Sequence, residues 1–252
     1  MAQHTVSPAP VIRTSVQDGL PSDLAGYARR KIGKLTRFTH RPVLDVRVRL
    51  TLASHASPLP VVARGSLDVN GRIVRAEVAA AEPREAVDRL EARLHRQLEQ
   101  LGRFRRRSGE QPQDRPHRDP RPVEERRIVR RKSYTLATAT VDDAVEEMLL
   151  LDHGFHLFTE SGSGHDSVVY RSGPTGLRLA QAAATPAERL ASHHLPVTIS
   201  PQPAPTLSTG EAVDRLNLTG LPFQFFLDAD LGRASALYHR YDGHYGLITP
   251  AV

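Results

Sequence analysis

Between Leu44 and Leu52 apolar and polar residues alternate without a break: Leu44, Val46, Val48, Leu50 and Leu52 are separated by Asp45, Arg47, Arg49 and Thr51. A period of two predicts a strand with one buried and one wet face. Val11–Val16 reads as a shorter strand ahead of it. Between the two, Leu24, Ala28, Ile32 and Leu35 keep helical spacing, opened by Pro21-Ser22-Asp23 and broken after Phe38 by His40-Arg41-Pro42. A second long strand covers about Val61–Val69. Asn70-Gly71 marks a tight hairpin, and Arg72–Ala80 returns. Pro83 opens a last helix with Val87, Leu90, Leu94, Leu98 and Leu101 as its buried stripe. The predicted order over residues 10–102 is βαβββα: one antiparallel-rich sheet with two helices on one face.

Periodicity then disappears. Residues 103–126 combine Gly109, Pro112, Pro116, Pro120 and Pro122 with seven Arg from Arg103 to Arg121, the composition of a disordered basic linker. It reads either as a plain spacer or as a further weak contact with a polyanion. Beyond it the pattern repeats at 68 residues. Ala144-Val145 matches Ala212-Val213, Met148 matches Leu216, Leu150 matches Leu218, Phe155 matches Phe223, Phe158 matches Phe226, and Tyr170 matches Tyr238. After a slip of two, Gly176-Leu177 matches Gly246-Leu247. Each copy predicts a short helix (about Val141 to Leu150, and Thr209 to Leu216), a strand through its Phe residues, and a hairpin. The fold class is therefore α+β. A βαβββα domain precedes two small tandem α+β domains, 127–181 and 197–252, joined by a polar linker over 182–196.

Charge divides the chain the same way. Residues 1–132 carry 28 Arg and Lys against 15 acids, a net of +13, whereas residues 133–252 carry 6 Arg against 13 acids, a net of −7. The overall +6 sums two unlike parts. The front cations sit off the apolar stripes: Arg29, Arg30, Lys31, Lys34 and Arg37 on the first helix, Arg89, Arg93 and Arg96 on the second. Clustered cations on one face are the electrostatic footprint of a polyanion binder. A solvated face with i, i+4 pairs is the alternative, and the second helix does interleave Glu85, Asp88, Glu91 and Glu99. The first helix has no acid between Ala25 and Phe38. Only Tyr27, Phe38 and Phe104 offer rings in the front half, too few to stack single-stranded bases. The expected target is the shape and phosphates of folded RNA.

Catalytic chemistry has no foothold. His153 and His156 lie three apart without HExxH or a carboxylate-rich loop. Gly162-Ser163-Gly164-His165-Asp166 contains Ser, His and Asp, but neighbours in one loop cannot adopt triad geometry. There is no Gly-rich phosphate loop and no Cys. The expectation is a non-enzyme without cofactor or metal. No apolar run approaches the roughly 18 residues of a membrane span, and the N-terminus lacks signal-peptide regions, so a cytoplasmic protein with no membrane partner is expected.

Two helix segments resemble those of the ribosome hibernation promoting factor and ribosome-associated inhibitor family. They are Lys31-Ile32-Gly33-Lys34-Leu35-Thr36-Arg37-Phe38, and Glu85 to Leu98 with Arg89, Arg93 and Arg96. The first rear copy resembles the C-terminal domain of that family's long form through Ile128-Val129-Arg130-Arg131-Lys132-Ser133-Tyr134, Asp143-Ala144-Val145-Glu146-Glu147-Met148, His153-Gly154-Phe155-His156-Leu157-Phe158 and Val168-Val169-Tyr170-Arg171. The second copy departs by adding a further domain, in the manner of actinobacterial dormancy factors. The resemblance implies a ribosome-associated protein whose front domain binds the small subunit, both rRNA and ribosomal proteins, in the channel of mRNA and tRNA. The rRNA contacts it implies are Lys31, Lys34, Arg37, Arg93 and Arg96; Gln100 replaces a further basic position, with Arg103 one turn on.

In the long form such rear domains pair between molecules and join two ribosomes. Two copies in one chain see each other at about millimolar effective concentration. Apolar faces built from Met148, Leu150, Phe155 and Phe158, and from Leu216, Leu218, Phe223 and Phe226, are then expected to close in cis. The alternative is a second copy diverged toward another ribosomal surface. A general RNA-binding or transcriptional regulator remains the other functional reading.

Overall fold

Asn70 and Gly71 have φ of 54° and 85°, the left-handed pair of a two-residue hairpin turn. They join two antiparallel strands of nine residues each in the first sheet. The computed structural model describes residues 10–39, 42–53, 58–103, 121–172 and 175–251, with side chains 100–103 left out. Two compact units form: Met1–Arg107 with Leu149–Asp152, and Ser108–Met148 with His153–Val252.

The first unit runs β1 (Val11–Val16), α1 (Leu24–Leu35), β2 (Val43–Leu52), β3 (Val61–Val69), β4 (Arg72–Ala80) and α2 (Pro83–Arg103). The sheet order is β1-β2-β3-β4. β1 lies parallel to β2, because α1 carries the chain back across the sheet between them; the other pairings are antiparallel. The sheet is thus antiparallel-rich, as expected, with one parallel strand at its edge. Leu24, Ala28, Ile32 and Leu35 of α1 and Val87, Leu90, Leu94 and Leu98 of α2 are buried against Val46, Val48 and Leu50. The predicted stripe residue Leu101 lies outside the described side chains.

The second unit contains β5 (Ile128–Tyr134), β6 (Thr138–Ala139), α3 (Val141–Leu150, whose last two residues fall in the first unit), β7 (Phe155–Glu160), β8 (Asp166–Tyr170) and β9 (Arg178–Gln181). It continues with β10 (Thr198–Ile199), β11 (Thr206–Leu207), α4 (Thr209–Thr219), β12 (Phe223–Asp228), β13 (Ala234–His239) and β14 (Tyr245–Pro250). The 68-residue repeat is a repeat of register. Phe155 pairs with Tyr170 as Phe223 pairs with Tyr238, and Val169 pairs with Leu179 as Leu237 pairs with Leu247. The counterpart of Leu247 is therefore Leu179, both buried, and the slip of two read from Gly176-Leu177 vanishes. The helix caps repeat as well. Thr140 Oγ1 accepts the Asp143 amide and donates to its carboxylate, while Ser208 and Glu211 close a capping box.

Each five-stranded sheet takes one strand from the other copy. The orders are β10-β9-β8-β7-β6 and β11-β12-β13-β14-β5. β5, which leads into the first copy, lies beside β14 of the second, and β10 returns the exchange beside β9. Both expected linkers are partly folded. Residues 104–120 lie outside the described ones, but a 3₁₀ turn at Val123–Glu125 follows, with Arg121 donating to the Asp242 carbonyl and Arg126 to Asn217. Residues 182–196 are tied back as well. Asp142 accepts the His194 and Leu195 amides, and Glu160 accepts the Ala191 amide.

Candidate nucleic-acid interface

α1 and α2 lie side by side and parallel. Asp23 pairs with Arg84 at 2.7 Å at one end, Tyr27 donates to Asp88 at 2.7 Å, and Phe38 packs on His95 at 4.5 Å at the other end. This register sorts the predicted cations into engaged and available. Lys31 is held at 2.9 Å from Asp88, and its ammonium pKa is raised, chiefly by hydrogen bonds to Asp88 and Tyr27. Burial alone would raise the Asp88 pKa, but Lys31 and Tyr27 outweigh it and hold the carboxyl below its ordinary range. Arg89 is held by Glu85 and the Ala79 carbonyl. Arg93 makes a bidentate pair with Asp152, at 2.7 and 2.8 Å. Arg29, Lys34, Arg37 and Arg96 are exposed and, among the described residues, have no ion-pair partner; Arg30 is exposed with Asp23 nearby. A polyanion meets those cations without first breaking an internal pair. Of the positions near the end of α2, Gln100 and Arg103 lie outside the described side chains.

The sheet face turned away from the helices carries cations that helix-based reasoning missed. Arg13, Arg47, Arg49, Arg64 and Arg75 project from it, and Arg13 lies opposite Arg47 as Arg49 lies opposite Arg64. The signal was legible as Arg at alternate positions of the Leu44–Leu52 pattern. Arg13 and Arg47 share Asp45, and Arg64 makes a bidentate contact with Glu77.

In the second unit the two sheets share an apolar cluster that includes Leu136, Leu157 and Val168 of the first copy and Phe223, Phe225, Ala234 and Ala236 of the second. Phe155 stacks on Phe223 at 4.4 Å, and Tyr170 meets Phe223 edge-on at 5.2 Å. Of the eight expected pairing residues only Phe155 and Phe223 stand at this contact. Phe226 and Leu216 are buried in the second copy's own core beneath α4. Alternation along β7 turns Phe158 away from Phe155 and Leu157, to the opposite side of its sheet. Met148 is buried on α3, Leu150 is buried within the first unit, and Leu218 is 88% exposed. Each strand sets a Phe on either face, Phe155 and Phe158 on β7 and Phe223 and Phe226 on β12, and the expected pairing face took both together. Leu157, Phe225, Tyr170 and Tyr238 take the missing places.

The Ser163-Gly164-His165-Asp166 loop is structural. His165 Nδ1 lies 2.8 Å from Thr185 Oγ1, and Asp166 binds Arg233. Glu160 is fully buried at its base. Burial alone would raise the Glu160 pKa, but the amides of Ser163, Ala191 and Gly162 outweigh it and hold the carboxyl below its usual value. This carboxylate fastens the loop to its surroundings.

Comparison with known proteins matches three stretches of the chain. Residues 14–106 match the family model described as sigma 54 modulation protein / S30EA ribosomal protein, and residues 123–179 and 200–247 match the model of its C terminus twice. A dormancy associated translation inhibitor of Mycobacterium tuberculosis is 38% identical over 230 residues, 86% of this chain and 82% of the relative. The chain belongs to the ribosome hibernation factor family. It is of that family's long form, with the C-terminal domain duplicated. A ribosome hibernation promotion factor of Deinococcus radiodurans is 31% identical over 165 residues, 58% of this chain and 84% of that one. The N-terminal domain of protein Y from Thermus thermophilus aligns with 36% of the chain and 97% of its own length, at 22% identity and a TM-score of 0.30.

Proposed function

We propose that this protein is a cytoplasmic ribosome hibernation factor. Its front domain occupies the mRNA and tRNA channel of the small subunit and excludes translation by steric blockage. The observation that carries the reading is the set of exposed cations on the parallel helix pair, Lys34, Arg37 and Arg96 with Arg29, which have no ion-pair partner among the described residues. They lie in the domain that matches the family model. Phosphate contacts of this kind supply affinity without reading sequence. The relatives' names, a translation inhibitor and a hibernation factor, support the same reading.

The rear copies remain paired with each other in the same chain, so the bound particle stays a single ribosome. The shared Phe155–Phe223 cluster supports this. Tethering at about millimolar effective concentration favours the same closure over a second molecule. Cosedimentation with intact ribosomes, in vitro translation and sucrose gradients test the whole. The protein is expected to pellet with ribosomes, inhibit translation, and appear in a single-ribosome peak. Retention by free RNA or polymerase without ribosome binding overturns the ribosome assignment in favour of a general RNA-binding or transcriptional regulator. A ribosome-dimer peak overturns the cis pairing.

A further inference from the structure

The two rear copies share register but not charge. Asp166 on β8 has a side chain only 9% exposed, and it receives Arg233 of the second copy through both oxygens, at 2.7 and 3.1 Å. The Ala234 amide adds a contact at 3.4 Å. The repeat maps Asp166 onto Ala234, since Asp166 pairs with Thr159 as Ala234 pairs with Leu227. Arg233 maps in the same way onto His165. The mirror-image position of the interface therefore holds a histidine and an alanine, and the ion pair occurs once. The aromatic contacts, by contrast, occur twice: Phe155 meets Tyr238 at 5.8 Å as Phe223 meets Tyr170 at 5.2 Å.

We propose that the Asp166–Arg233 pair is a specificity key that restricts rear-domain pairing to unlike copies and rejects pairing of like copies from two molecules. The proposal rests on the cis-paired reading above and says what enforces it. If two first copies met through this face, each buried Asp166 would face His165. That ring is already bonded to Thr185 and offers no two-pronged guanidinium. Two carboxylates would be buried without their Arg, and a buried charge left without its partner is strongly disfavoured. If two second copies met, each Arg233 would face the methyl group of Ala234. Only the unlike pairing satisfies both groups. The aromatic cluster supplies adhesion that any pairing would enjoy, and the ion pair supplies the choice. Unlike pairing between two molecules is also allowed by the key, and there the tether decides for closure within one chain.

Charge reversal in the full-length protein tests this by light scattering and amide exchange. Asp166→Arg alone and Arg233→Asp alone place like charges together. Each is expected to lower amide protection across β7 and β12 by on the order of a hundred-fold. The double variant D166R/R233D is expected to regain protection as a monomer, which separates the key from a general folding defect. Mixing the two single variants is expected to give a one-to-one dimer, because each Asp then meets an Arg in the other chain; neither variant forms it alone. Single variants as protected as the parent, or self-association of a single variant equal to the mixture, overturn the key. A parent chain that is itself a dimer through like copies overturns the cis reading as well. A monomeric parent indifferent to reversal removes the key alone.

Discussion

Truncation of the stacked rings measures how much the two rear copies stabilise each other. Phe223 is 8% exposed, stacks on Phe155 at an interplanar angle of 16°, and receives the edge of Tyr170. Phe→Ala at a buried site costs about 3–5 kcal/mol from lost transfer and the cavity left behind. Phe155 is only half-buried and is expected to cost about 2–3 kcal/mol. Part of each loss is the same stacking contact, worth about 1 kcal/mol beyond area. The double variant F155A/F223A should therefore fall short of the sum by about 1 kcal/mol. Urea unfolding of the full-length protein, followed by amide exchange of the rear unit, reads the cycle. The cost should be independent of protein concentration, because the partner copy is in the same chain. Leu218→Ala, at an 88% exposed site, provides the control and should change stability by less than about 0.5 kcal/mol. Additive losses, or a cost that grows on dilution, would refute the reasoning.

The Glu160 carboxyl is held below its ordinary 4.5 in the folded state. Its contribution is therefore complete above that value and is lost as pH falls through the lowered native value; Glu160→Gln should flatten the acid limb of the rear unit's stability curve and cost about 1–3 kcal/mol at neutral pH. Gly162→Ala should destabilise the same unit by about 1–3 kcal/mol in thermal unfolding, because a Cβ there meets backbone atoms of Arg189, Leu190 and Ala191. Lys31→Ala should weaken ribosome binding less than Lys34→Ala in pelleting assays, because Lys31 already neutralises Asp88.

The front fold was legible because every element there declares its period: two along Leu44–Leu52, and a helical stripe at Leu24, Ala28, Ile32 and Leu35. The turn at Asn70-Gly71 and the break at Pro83 set the boundaries. Where β5 and β10 pair was not legible. A strand carries the same alternation whichever sheet receives it, so the exchange with β14 and β9 is a tertiary choice. The sorting of cations was equally hidden. That Lys31 is engaged and Lys34 is available depends on Asp88, 57 residues away from Lys31 and brought near by the register of two packed helices. The pairing face was misread for a related reason. Phe155 and Leu157 on one side of β7 and Phe158 on the other are all apolar, so the residue types do not say which side meets the second copy.

The central claim, that the exposed cations of the helix face grip ribosomal phosphate, is tested most directly by the salt dependence of ribosome affinity. The triple variant K34A/R37A/R96A is compared with the parent and with R47A/R49A/R75A on the open sheet face. Each phosphate contact contributes about 0.7–0.9 to the slope of log affinity against log salt. The helix-face variant should therefore flatten that slope by about two units, while the sheet-face variant leaves it nearly unchanged. An unchanged slope for K34A/R37A/R96A, or a larger loss from the sheet face, would contradict the account.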